Sequence, residues 1–247
     1  MRLFVIGGAG HVGSMVLPHL ARRHDIRVFD LRAPADGNWE SVQGSIDDVE
    51  ALREAMRGCD ALLFMAMNAR GAWCEPATAV RAYDVNVKGL GLAHWAAHEE
   101  GIRRVVVTSS LSVYAVRGPG ERYPNEDVAP DSDHIYGFTK RLGEEVSQRA
   151  ARQYGQAVTS LRLCFPWPDD DPAPTDHDVG GRIVEGVTFR AGAFTRARDV
   201  ASAILLSLRY EHTGWEAFAI SGDPDQRIVP TEKARRVLGW RPARGER

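Results

Sequence analysis

Tyr136 and Lys140, four residues apart in the run YGFTK, are the side chains of this sequence best suited to moving a proton. On a helix, positions i and i+4 share a face, so a lysine ammonium there stands beside the phenol, stabilises its phenolate and draws it below the ordinary tyrosine pKa of about 10. A phenol tuned in this way serves as general base or acid near neutral pH. Ser110 closes the apolar run VVVTSS and is placed to donate a hydrogen bond to the same substrate oxygen. Tyr and Lys also fall at this spacing by chance on many amphipathic helices, so the pair takes its meaning from its surroundings.

Those surroundings begin at the first residue. Residues 1–6 read as a short buried strand that runs into Gly7, Gly10 and Gly13 of GGAGHVG. A strand, glycines at this spacing and then a helix form the context of a dinucleotide site. Missing side chains let backbone N–H groups and the positive end of the helix dipole approach a pyrophosphate, and the third glycine lets the helix pack on its strand. His11 and Val12 lie inside the same turn. A second strand, residues 26–29, ends on Asp30, where a carboxylate about 20 residues past the glycines accepts hydrogen bonds from both ribose hydroxyls. That charge repels a 2′-phosphate, so NAD is expected over NADP, with Arg32 placed to offset part of it.

The rest of the chain must position these groups. Short apolar runs at residues 59–67, 105–110 and 158–163 alternate with helical patterns at 77–100 and 136–154, and a helix begins near Asp47 and Asp48. This alternation predicts an α/β fold, a Rossmann-type doubly wound parallel sheet. Residues 1–164 are expected to form the NAD-binding region with the catalytic helix. Residues 165–247 are expected to form a short substrate-binding appendage interleaved with it. Asp30, Asp47, Ser109 and Ser110 all fall at carboxyl ends of strands, where ligands gather in such sheets.

Composition narrows the partners. With 31 basic against 33 acidic residues and a net charge of −2, the 247-residue chain carries no signature of nucleic-acid or anionic-membrane binding. A small molecule is the expected partner. Cys59, Cys74 and Cys164 are scattered, which argues against a disulfide framework or a zinc knuckle and for a reducing cytoplasm. No apolar stretch approaches the roughly 18 residues needed to span a bilayer. The acidic run Asp169 to Asp171, with Asp176, His177 and Asp178, is Pro-rich and reads as a solvated loop suited to a lid, so no metal is expected.

GGAGHVG, Asp30, SIDD, VNVKGL, TSSLSVYA and YGFTK occur in an order and spacing that resemble the extended short-chain dehydrogenase/reductase superfamily, in its NAD-dependent epimerase/dehydratase group. The likeness covers nearly the whole chain and extends to RARDVASAIL and KARRVLGWRP near the end. The resemblance implies that Gly7, Gly10, His11, Val12, Gly13, Asp30 and Arg32 bind NAD. It places Ile46 and Asp47 on the adenine and Met65, Ala66, Met67, Thr108, Tyr136 and Lys140 along the cofactor. It also makes Asn86, Ser110, Tyr136 and Lys140 the catalytic set, with the lysine holding the nicotinamide ribose and the asparagine ordering a water relay. A homodimer paired through the two long helices is likewise implied, and Leu90, Leu92, Ala93 and Trp95 are compatible with one.

Two departures from the family pattern bear on the substrate. FMAMNAR replaces the usual His-Leu-Ala-Ala-like stretch, and only 107 residues follow Lys140, fewer than nucleotide-sugar enzymes devote to the nucleotide. A smaller substrate follows, and the compact uronate dehydrogenases of the group make oxidation of a free sugar or sugar acid the leading expectation. Epimerisation of a nucleotide-sugar through transient oxidation is the alternative, and a non-catalytic dinucleotide-binding regulator is more remote. TSSLSVYA offers no carboxylate beside Ser110, which disfavours dehydration. Candidate substrate contacts are Ser110, Ser112, Met67, Phe165, Arg162 and Arg196, with Arg190 and Arg198 as further anion clamps and Trp73 and Trp167 as sugar-stacking rings. For each arginine and tryptophan, ordinary packing or solvation is the competing reading.

Overall fold

The structure is a computed structural model that describes residues 1–35, 37, 39–67, 75–115, 121–172, 183–184, 187–188 and 193–243. β1 (Arg2–Ile6) is followed by α1 (His11–Leu20), β2 (Asp25–Asp30), β3 (Glu40–Gln43), α2 (Val49–Met56) and β4 (Ala61–Phe64). Next come α3 (Pro76–Tyr83), a π-helical segment (Asp84–Gly89), α4 (Leu90–Glu99) and β5 (Arg104–Ser110). The catalytic-helix candidate is α5 (Ile135–Tyr154), and it leads to β6 (Ala157–Leu163). Beyond it lie the short strands β7 (Pro166–Trp167), β8 (Ile183–Val184), β9 (Val187–Thr188) and β10 (Thr195–Arg196), then α6 (Ala197–Ser207) and β11 (Trp215–Ile220).

Seven strands form one sheet in the order β11-β6-β5-β4-β1-β2-β3, and every pairing in it is parallel. The order reverses between β1 and β4. That reversal opens a crevice beyond the carboxyl ends of the strands, with the glycine turn on one side and the end of β5 on the other. Both faces of the sheet are covered, which is why the strands read as continuous apolar runs rather than alternating ones. One face packs Val16, Leu17 and Leu20 of α1 with Val200, Ala203 and Ile204 of α6. The other packs Leu52 and Met56 of α2 with Leu90, Ala93 and Ala97 of α4.

Described segments beyond residue 164 pack into the same core. β11 extends the main sheet, and the fully buried Trp240 donates its indole N–H to Asp199 O at 3.0 Å, tying the tail to α6. Two element boundaries differ from the sequence reading. The apolar run 59–67 yields a four-residue strand, after which Met65 N still donates to Ile6 O at 2.8 Å. The helix expected over 77–100 contains a π-helical turn, which apolar spacing alone does not reveal.

Candidate active site

The glycine turn is built around atoms that a side chain would displace. Gly7 has φ +87°, and a Cβ on it would lie 2.4 Å from Ala66 N, so the turn sits directly against the end of β4. A Cβ on Gly13 would lie 2.4 Å from Gly8 O and 2.6 Å from Gly7 O. Gly10 caps α1 without a side-chain hydrogen bond, and the first turn of the helix holds no acidic residue. Its leading N–H groups therefore face the crevice with the positive end of the helix dipole behind them, as a pyrophosphate requires. Asp30 Oδ2 accepts from Ala9 N at 3.0 Å, which fixes the carboxylate beside the turn. The residues present thus fit a dinucleotide.

On the far side of the crevice, α5 packs against the end of β5. Lys140 is 7 % exposed and donates from Nζ to Thr108 O at 3.1 Å, while the hydroxyl of Thr108 reaches back to Phe64 O at 3.2 Å. Lys140 Nζ lies 5.9 Å from the centroid of the Tyr136 ring. That ring packs with Ala82 of α3 and with Met67 and Ile135. Ser110 Oγ donates to Ser112 Oγ at 2.9 Å and accepts from Ser112 N at 3.1 Å, so Ser112 orients the hydroxyl expected to hold the substrate. Asn86 comes from the π-helical segment and donates from Nδ2 to Thr139 Oγ1 at 3.0 Å. The π-helical segment, the end of β5 and the first turns of α5 thus bring Asn86, Ser110, Tyr136 and Lys140 to one end of the sheet.

Several expected contacts lie elsewhere. Arg162, expected as a substrate clamp, is 1 % exposed and holds Glu144 bidentately, Nε to Oε1 at 2.9 Å and Nη2 to Oε2 at 2.8 Å. Its remaining amine donates to the Tyr114 hydroxyl at 2.5 Å, and Ser109 Oγ donates to Glu144 Oε1 at 2.7 Å. Burial works against the Arg162 charge, but the hydrogen bonds and attraction of Glu144 outweigh it and hold its pKa above the ordinary arginine value. This arginine is a buried structural cation. Arg196 Nη1 is committed to the carbonyls of Pro168 and Asp171 at 2.7 and 2.5 Å and so pins the loop after β7. Trp167 packs edge-on against Phe194 and donates to Pro172 O at 3.1 Å, which ties it to the loop after β7.

Near the adenine end, Asp47 is ion-paired with Lys88 at 3.0 Å and exposed, whereas Ile46 packs into the core against Gly89. It is Asp48 that caps α2, accepting from Ala51 N at 3.1 Å. Met65 is buried, and Ala66 and Met67 are half-buried beyond β4. His11 and Arg32 are exposed, and Val12, in the first turn of α1, is half-buried against the core. Phe165 stands just past β6 at φ +39° with its ring 5.6 Å from that of Phe194. Arg198 is exposed and donates its backbone N–H to Asp169. Trp73, Arg190, Asp176, His177 and Asp178 lie outside the described residues. The sequence reading missed Thr139 and Glu144. The signal for Glu144 was its place one turn past Lys140 on the same helix face.

Comparison with known proteins agrees with this architecture. UDP-glucose 4-epimerase of Streptococcus mutans is 25 % identical, with the alignment covering 98 % of this chain and 92 % of the relative. L-arabinose 1-dehydrogenase (NAD(P)(+)) of Haloferax volcanii is 29 % identical over 66 % of each chain. The crystal structure of uronate dehydrogenase from Agrobacterium tumefaciens shares the fold, with a TM-score of 0.79 at 24 % identity over 98 % of this chain and 84 % of that one. The profile of the NAD dependent epimerase/dehydratase family matches residues 3–175, the span that holds the glycine turn, Asp30, Tyr136 and Lys140, and the chain belongs to that family.

Proposed function

We propose that this protein is an NAD-dependent oxidoreductase that oxidises a hydroxyl of a sugar or sugar acid. The observation that carries the reading is Lys140, buried, anchored on Thr108 O and 5.9 Å from the Tyr136 ring, in a fold whose glycine turn admits no Cβ at Gly7 or Gly13. NAD held there by Gly7, Gly10, Gly13 and Asp30 would supply the electron-pair acceptor. Tyr136 takes the hydroxyl proton of the substrate as general base. Ser110, held in place by the Ser112 N–H, turns its hydroxyl proton from Ser112 Oγ to the oxygen that loses it, and the Lys140 charge favours the phenolate form of Tyr136. Phe165 and Met67 supply apolar walls to the substrate side.

The sugar class is supported by relatives named for UDP-glucose and L-arabinose. Because epimerases align over 98 % of the chain, epimerisation of a nucleotide-sugar is the second reading. One experiment separates them: purified protein with NAD, and separately NADP, is offered free uronic acids, aldoses and nucleotide-sugars. Net NADH formation that falls about 10²- to 10⁴-fold in Tyr136→Phe supports the oxidoreductase. An isomerised nucleotide-sugar without net NADH replaces it with the epimerase. The same reading includes a homodimer through α3 to α5, where Val80 and Tyr83 are 59 % and 38 % exposed. Sedimentation equilibrium of wild type and Val80→Asp, expected as dimer and monomer, tests it.

A further inference from the structure

Thr139, the residue just before Lys140 on α5, is fully buried and makes two hydrogen bonds of opposite polarity. Its hydroxyl donates to Tyr136 O at 2.9 Å, three residues back on α5, and accepts from Asn86 Nδ2 at 3.0 Å. A hydroxyl carries one proton, and the Tyr136 carbonyl takes it. The two lone pairs that remain can be satisfied only by donors. They therefore select the NH₂ end of the Asn86 carboxamide and leave the oxygen end facing away.

Asn86 Oδ1 is buried with no partner among the described residues. Asn86 also lines a cavity of about 10 Å³ together with Thr108, Ser109, Lys140 and Glu144. That volume is close to the lower limit for holding one water. The backbone brings the π-helical segment close enough for this contact, because a Cβ on Gly143 would lie 2.8 Å from Asn86 O. An asparagine amide has nearly the same shape after a half-turn, so shape alone does not choose between its two orientations.

We infer that Thr139 is a positioning residue whose hydroxyl fixes the orientation of the Asn86 carboxamide, presenting its oxygen to the Lys140 side and its nitrogen to α5. The inference rests on the proposed oxidoreductase reading for its kinetic consequence, since it acts through Asn86 on Lys140. Thr139→Val keeps the shape of the side chain and removes the polarity. The amide then loses its orienting partner. Thr139→Ser keeps the hydroxyl.

The test compares wild type, Thr139→Val, Thr139→Ser, Asn86→Ala and Asn86→Ala with Thr139→Val. Thr139→Val should lower kcat about tenfold, the equivalent of one net hydrogen bond, with the KM for NAD unchanged. Thr139→Ser should recover most of that loss, and the double variant should be no slower than Asn86→Ala alone. If the valine variant does not fold, Thr139→Ala against Thr139→Ser provides the same contrast. Exchange of the ¹⁵N-labelled Asn86 NH₂ protons gives a readout without turnover: slow in wild type and the serine variant, fast in the valine variant. Unchanged kcat and unchanged exchange in Thr139→Val, or multiplying losses in the double variant, would overturn the inference. Retention of turnover by Tyr136→Phe would instead overturn the catalytic reading and leave the exchange result standing.

Discussion

Replacing Arg162 by Met distinguishes a buried structural cation from a substrate clamp, because the two roles predict losses in different observables. The guanidinium makes two charge-assisted hydrogen bonds to Glu144 and a third to the Tyr114 hydroxyl, with side-chain exposures of 2 % and 4 % for the ion pair. Met fills similar space with no charge, so Glu144 is left buried with Ser109 as its remaining partner. Breaking such a pair from one side costs about 3–5 kcal/mol, since the surviving charge keeps its desolvation penalty and loses its compensation. For a chain of this size, about 4 kcal/mol lowers Tm by roughly 8–16 °C. Urea unfolding followed by tryptophan fluorescence measures the free energy, and a thermal scan measures Tm. Adding Glu144→Gln to Arg162→Met removes the orphaned charge and should restore part of the loss. A variant within about 1 kcal/mol of wild type in stability but with substrate KM raised about tenfold would refute the structural assignment and reinstate the clamp.

Buried groups elsewhere set three more outcomes. His94, held by Gln156 at 2.7 Å and Ser147 at 3.1 Å, has its pKa pushed down to about 4 by burial against the opposing hydrogen bond of Gln156. The unfolded chain therefore binds a proton that the folded chain refuses between pH 6.5 and about 4. Stability from this site is complete above about pH 6.5 and falls by about 3 kcal/mol as pH drops through that window. Urea midpoints should show that dependence flattened in His94→Gln. Gly13→Ala drives a methyl into the carbonyls of Gly7 and Gly8, so calorimetric titration with NAD should show at least about a tenfold loss of affinity. Trp240→Ala empties a fully buried site and frees Asp199 O, and a thermal scan should register a loss of about 3–5 kcal/mol.

Groups that lie close together along the chain are the ones whose candidate roles the sequence makes legible. The glycine spacing, Asp30 at the end of β2, and Tyr136 with Lys140 one helical turn apart are local patterns, and local geometry suffices to interpret them. The parallel sheet is legible for the same reason, since strand and helix periods alternate along the chain. Arg162 is misread because an arginine near the end of a strand looks alike whether it faces a cleft or a carboxylate 18 residues away. The π-helical turn at Asp84–Gly89 escapes because one widened turn does not disturb an apolar pattern enough to show.

The alternation of the main strands and helices, the cradle for a dinucleotide and the pair proposed to handle the proton can be read along the chain, because each depends on spacings of a few residues. Folding in three dimensions is what sets Glu144 against Arg162, seats Trp240 of the tail in the core, and brings Thr139 to Asn86 across 53 positions of chain. Those placements turn on which helix face meets which strand end. Packing of the whole sheet fixes that choice, and no local spacing carries it.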